Sequence, residues 1–198
     1  MDTDNGFLFS TVLSVTAELW KKVKTRWDEV KPVYAYCLFC ETQRCRPIAE
    51  YISRNYGYQC ISPKIIQRKW IKSEMTAESH DWLPGYIFLY TEELIMPHFY
   101  INGIIRCLGN RELSGMDLSF AEMIYRLHGV MGTVSLVREG DYCKINDPAW
   151  KEMNGKVIKM DHGRKRCCIE FEFDGIRRTV WAGYEIIETQ QQASIQRC

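Results

Sequence analysis

Two cysteines three positions apart, in Cys37-Leu38-Phe39-Cys40, with Cys45 close behind, are the first residues whose spacing suggests chemistry. A zinc centre would need a second ligand pair at matching spacing, and none follows. On an extended strand, Cys37 and Cys40 point to opposite faces, and so do the adjacent Cys167 and Cys168. These thiols read as core residues; a thiol redox sensor using Cys37 and Cys40 is the weaker alternative. The histidines (His80, His98, His128, His162) are scattered, without a paired carboxylate or a ligand-spaced partner. No Gly-rich phosphate loop or nucleophile elbow occurs. The chain is therefore expected to be a binding protein rather than an enzyme, with no metal or cofactor.

Charge offers a different chemistry. Between 151 and 166, Lys151, Lys156, Lys159, Arg164, Lys165 and Arg166 face only Glu152 and Asp161. Arg177 and Arg178 follow on what reads as the neighbouring strand. The net charge of the whole chain is only +1, so nucleic-acid binding must come from such a local patch. Arg164-Lys165-Arg166 at a hairpin tip, with Lys156, Lys159, Arg177 and Arg178 beside it, suits phosphate contacts to RNA. A solvated tip that binds nothing is the alternative. A third cluster is apolar. Trp82 and Leu83 precede Pro84-Gly85, and an aromatic run from Tyr86 to Tyr90 follows. Pro-Gly marks a sharp entry into a buried strand. Apolar residues on the lip of that turn need something to cover them.

The elements that must position these groups can be read from composition and periodicity. A chain of 198 residues with 46% hydrophobic and 26% charged residues is an ordinary globular composition. Nine cysteines, an odd number at irregular spacing, fit reduced thiols in the cytoplasm better than a disulfide framework. Phe9, Val12, Leu13, Thr16, Leu19, Trp20, Val23, Trp27 and Val30 recur at helical spacing, so residues 1–32 read as an amphipathic helical extension, not an export signal. No stretch is long enough to span a membrane as a helix.

From Tyr34 to Cys40 a strand is expected, then a helix from Glu41 to Tyr56 closed by Gly57. Extended segments follow at 60–71, 86–90 and 101–108, and a helix at 117–127 capped by Ser114 or Asp117. That mixture indicates an α+β fold, an α/β sandwich over residues 33–128. Residues 129–138 read as a linker. Five short strands are expected at 141–146, 156–160, 167–173, 176–181 and 185–187, separated by Asn154-Gly155, His162-Gly163, Asp174-Gly175 and Ala182-Gly183. Ile169, Phe171 and Phe173 alternate with Glu170 and Glu172, giving one buried face, and Asp174-Gly175 is a strong hairpin signal. Residues 139–188 thus read as a small five-stranded β-barrel, with 189–198 a tail.

In this order the motifs resemble the NusG family of transcription elongation factors, which join an NGN domain to an SH3-like KOW domain. Leu83-Pro84-Gly85-Tyr86-Ile87-Phe88 is similar to that family's entry into a central NGN strand, and residues 36–52 to its first strand and helix. Gly140 to Ile145 and Gly155 to Asp161 are similar to the KOW repeat. The resemblance covers residues 33–188. Two stretches depart from it: Asn146-Asp147 stands where a Gly usually precedes Pro148, and Thr42-Gln43-Arg44-Cys45 opens the helix in place of Gly and an acid. With the ending Gly183 to Glu188, these departures resemble a specialised antiterminator of the LoaP type more than the general factor.

The resemblance implies RNA polymerase as partner. Tyr36, Trp82, Leu83, Pro84 and Tyr86 would form an apolar depression for the polymerase's clamp helices, a helix-in-groove contact. The barrel would bind a nascent RNA hairpin, or a protein such as a ribosomal protein or a termination factor. The chain would act as a cytoplasmic monomer. A KOW-type ribosome-associated RNA-binding protein is the rival reading, and intradomain packing the plain alternative for Trp82 and Leu83.

Overall fold

The computed structural model describes residues 32–71, 74–140 and 142–187. The expected N-terminal amphipathic helix and the C-terminal tail lie outside these residues. Strand β1, Tyr34–Cys40, leads through a 3-10 turn at Thr42–Arg44 into helix α1, Cys45–Tyr56. Pro47 falls in the first turn of α1, where a missing N–H costs nothing. Gly57 ends the helix in the left-handed conformation, with φ of 72°. β2 (Gln59–Ile61), β3 (Lys64–Ile71), β4 (Glu74–Asp81), β5 (Tyr86–Thr91) and β6 (Ile104–Cys107) precede helix α2, Gly115–Arg126. β7 (Val130–Met131), β8 (Val134–Glu139), β9 (Tyr142–Ile145), the short helix α3 (Pro148–Glu152), β10 (Lys156–Asp161), β11 (Arg166–Phe173) and β12 (Ile176–Ile187) complete the described chain.

The fold is α+β. Among the described residues, three sheets have the orders β2-β5-β1-β6, β4-β3-β7 and β10-β11-β12-β8-β9, the last a curled half-barrel. In the first, β1 and β5 run antiparallel, with Tyr36 opposite Leu89 and Leu38 opposite Ile87. Those four side chains form a core with Ile48, Ala49 and Ile52 of α1. The other face of β5 carries Tyr86, Phe88 and Tyr90. Phe88 packs on Phe120 of α2, and the Tyr90 hydroxyl donates to the Ala121 carbonyl at 2.7 Å. All six residues of β5 are buried, which is why the strand is apolar without alternation.

Residues 129–138 are not a linker. β7 pairs in parallel with β3, and β8 pairs in parallel with Tyr184–Ile187 at the end of β12. Val134 and Leu136 are buried while Ser135 and Val137 are not, a two-residue alternation masked by the flanking Gly132 and Gly140. The C-terminal sheet therefore begins at Val134, not 139. Ala182-Gly183 is no break either; β12 runs unbroken from Ile176 to Ile187, and Gly183 pairs with Arg166. The described residues from Tyr34 to Ile187 belong to one compact unit. Among the described residues, no helix is long and apolar enough to cross a membrane.

Candidate functional site

The entry to β5 is built around Gly85. Its φ is +89°, and a Cβ there would sit 3.0 Å from the Phe39 ring and 3.1 Å from the Cys40 carbonyl, so only glycine fits. The Gly85 carbonyl accepts from the Cys40 N–H at 2.7 Å, and the Trp82 N–H donates to the Pro63 carbonyl at 2.9 Å. These contacts pin Trp82, Leu83 and Tyr86, which are only 3%, 3% and 7% exposed. Pro84 is exposed.

The C-terminal half covers Trp82 and Tyr86. The Trp82 ring lies 5.0 Å from Trp150 of α3, 6.0 Å from Phe171 of β11 and 5.3 Å from Phe120. Tyr86 packs on Phe39 at 5.0 Å and edge-on to Phe173 at 5.7 Å. Arg178 lies over the Tyr86 ring at 4.9 Å and donates to its hydroxyl at 2.7 Å. Polar pins surround this seam. The Asp174 N–H, at the tip of the β11–β12 hairpin, donates to Asp117 Oδ1 at 2.9 Å, and its carboxylate lies 3.6 Å from Arg106. Gln67 donates to the Trp181 carbonyl at 2.7 Å, and Arg126 pairs with Glu152. Asp117 thus binds the hairpin instead of capping α2, whose N-cap Ser114 makes no side-chain cap bond. Three buried N–H groups in the seam, Trp82 Nε1, Trp150 Nε1 and Arg178 Nε, find no hydrogen-bond partner among the described residues.

Tyr36 does not join this group. It is fully buried on the α1 side of the sheet, where its hydroxyl accepts from the Ile95 N–H at 2.9 Å. The alternation of β1 puts it on the face opposite Tyr86.

The basic residues divide in two. Lys156, Lys159, Arg164, Lys165 and Arg177 are exposed. Lys156 and Arg177 share a cleft of about 280 Å³ with Met116, Asp117 and Met153. Arg178 is turned away from them. In register it sits beside Phe171, on the seam face, whereas Arg177 sits beside Glu172 on the other face. The expectation that both arginines extend one patch therefore fails by strand alternation.

Asp161 is the residue that sequence reasoning missed, having counted it only as an opposing charge. Its Oδ1 accepts from the Arg164 N–H at 3.1 Å, and its Oδ2 from Arg166 Nε at 3.1 Å. The signal was an Asp at the start of a turn, which favours such local bonds. The Arg164 N–H and then Arg166 hold the carboxyl below the usual carboxylate range. A depressed folded pKa stabilises the turn above the unfolded value of about 3.9 and loses that contribution as pH falls through the folded value. The Arg164 amide should accordingly titrate in NMR with a midpoint below about 3.9. Asp161→Asn should remove that titration.

Burial dominates the thiols. It pushes Cys40, Cys60 and Cys167 up to about 12 and Cys107 to about 11, and it raises Cys37. Reactive redox thiols need the opposite shift. Cys40 faces the α1 core, and the register puts Cys37 on the other side of the sheet.

No family model matches the chain, and no curated protein matches it.

Proposed function

We propose that this chain is a transcription elongation and antitermination factor of the NusG type, with an NGN-like half and a KOW-like, SH3-type half. The observation that carries this reading is the setting of residues 82–86. A Pro-Gly turn enters the strand of a four-stranded sheet whose aromatic face receives a hairpin. Here that hairpin is the chain's own β11–β12. A helical hairpin of RNA polymerase would take the same face, so the conformation described is the closed one. Opening the seam exchanges an internal hairpin for an external one, a population shift without chemistry.

In this reading the exposed Lys156, Lys159, Arg164 and Lys165 contact RNA, and the protein acts as a cytoplasmic monomer.

The test is capture of core RNA polymerase by the full chain. Glu152→Arg with Phe173→Asp puts like charge against Arg126 and a carboxylate among rings, which should open the seam. This variant should bind polymerase at least about tenfold more tightly than the parent, as removing a closed competitor does. Adding Tyr86→Ala should abolish capture while circular dichroism stays folded. Capture of ribosomes, with no polymerase bound by any variant, would replace this reading with the ribosome-associated one.

A further inference from the structure

We propose that Arg166 reads an unpaired guanine in RNA bound by the C-terminal half, an inference that rests on the RNA-binding part of the reading above. The sheet register is the starting point. Lys159, Cys168 and Trp181 sit side by side across β10, β11 and β12, and Asp161, Arg166 and Gly183 form the next row. Residues opposite one another on neighbouring strands share a face. Lys156 lies opposite Glu170 on that face as well. The face away from the seam thus carries Lys156, Lys159, Arg166 and the half-buried Trp181 together.

Arg166 differs from its basic neighbours in being fixed. Its guanidinium lies over the Trp181 ring at 4.6 Å, and Asp161 takes its Nε at 3.1 Å. Nε is the nitrogen that Asp161 holds, and a quarter of the side chain (25%) reaches solvent. A planar fork held at its inner edge loses little freedom on binding a two-acceptor partner. The O6 and N7 atoms of guanine are such a partner, and arginine is its commonest reader. The Trp181–Arg166 stack also provides a flat surface on which an unpaired base can lie. Lys156, Lys159, Arg164 and Lys165 are exposed, Arg164 with an open ion pair to Asp161 at 3.7 Å, so they supply attraction without sequence. Among these cations, Arg166 is the specificity-determining one.

The experiment presents a pool of RNA hairpins with randomised loops to the full chain at low salt. Retained loops should be enriched in guanine at one position, and replacing that base by 7-deazaguanine, which lacks N7, should weaken binding about tenfold. Arg166→Lys keeps the charge and loses the fork. It should retain RNA while losing the enrichment, with its melting temperature showing that the sheet is intact. Trp181→Leu should weaken the selected hairpin about tenfold with an unchanged salt slope. Lys159→Ala should reduce the slope by about 0.7 and leave the enrichment alone. Loops retained without guanine enrichment, or the same enrichment with Arg166→Lys, would overturn the assignment. A chain that retains no RNA from the pool fails at the earlier step and takes the RNA-binding reading down with it. Retention of an acidic peptide in preference to every RNA does the same.

Discussion

Replacing Phe120 with alanine should lower the unfolding free energy of the folded unit by about 3–5 kcal/mol, the range for deleting a buried aromatic ring. Phe120 projects from α2 and is 1% exposed. Its ring lies 5.3 Å from Trp82, 5.7 Å from Phe88, 5.8 Å from Phe171 and 4.9 Å from Phe173. Two of those neighbours belong to the N-terminal half and two to the C-terminal sheet. The cavity left behind would open in the seam itself, so the loss should fall on both halves together. Urea unfolding followed by tryptophan emission should show one transition moved to lower denaturant. Two separated transitions in the parent chain would mean that the halves unfold independently, and the substitution would then cost each half less.

Gly129→Ala should be among the most damaging single-methyl changes, at about 2–5 kcal/mol. A left-handed residue with a side chain costs about 1–2 kcal/mol, and overpacking adds about 1–3. Both apply here. Gly129 has φ of +76°, and an added Cβ would lie 2.4 Å from the Ile61 side chain. It cannot swing away, because its N–H donates to the Ile124 carbonyl and its carbonyl accepts from the Lys64 N–H, each at 2.8 Å. Ile61→Ala should relieve the clash but not the backbone cost. The double variant should therefore lose less stability than the two single losses summed, a deficit readable in a double-mutant cycle. Additive losses would show that Ile61 is not what the methyl meets.

The legible parts of the sequence were those where one local rule dominates. β1, β5, the Gly57 helix end and the Asp174-Gly175 hairpin each follow from such a rule. Strand β4 escaped notice because Thr76, Glu78, Ser79, His80 and Asp81 carry no hydrophobic alternation; among the described residues it is an edge strand, paired only with β3. Helix α3 has five residues, too few for periodicity, and is set by the Asp147 side chain accepting from the Ala149 N–H. The candidate site was half readable. Leu83-Pro84-Gly85-Tyr86 stood out, yet its cover did not, because Trp150, Phe171 and Phe173 lie far away in sequence. Alternation marked Phe171 and Phe173 as buried without saying against what. The same alternation, applied to Arg177 and Arg178, already required opposite faces.

The strand order of the C-terminal sheet bears on how the chain is made. β12, the last described strand, lies in the middle of the order β10-β11-β12-β8-β9. The sheet cannot join its two sides until residues up to Ile187 have left the ribosome. Elongation at about 5–20 residues per second puts about 5–20 seconds between the emergence of β5 and that of β12. Throughout that interval the nascent chain carries Trp82, Tyr86 and Phe88 without Phe171, Phe173 or Arg178 to cover them. Each newly synthesised molecule therefore passes through a stage in which this face is bare and open to whatever protein lies nearby, before its own C-terminal hairpin exists to claim it.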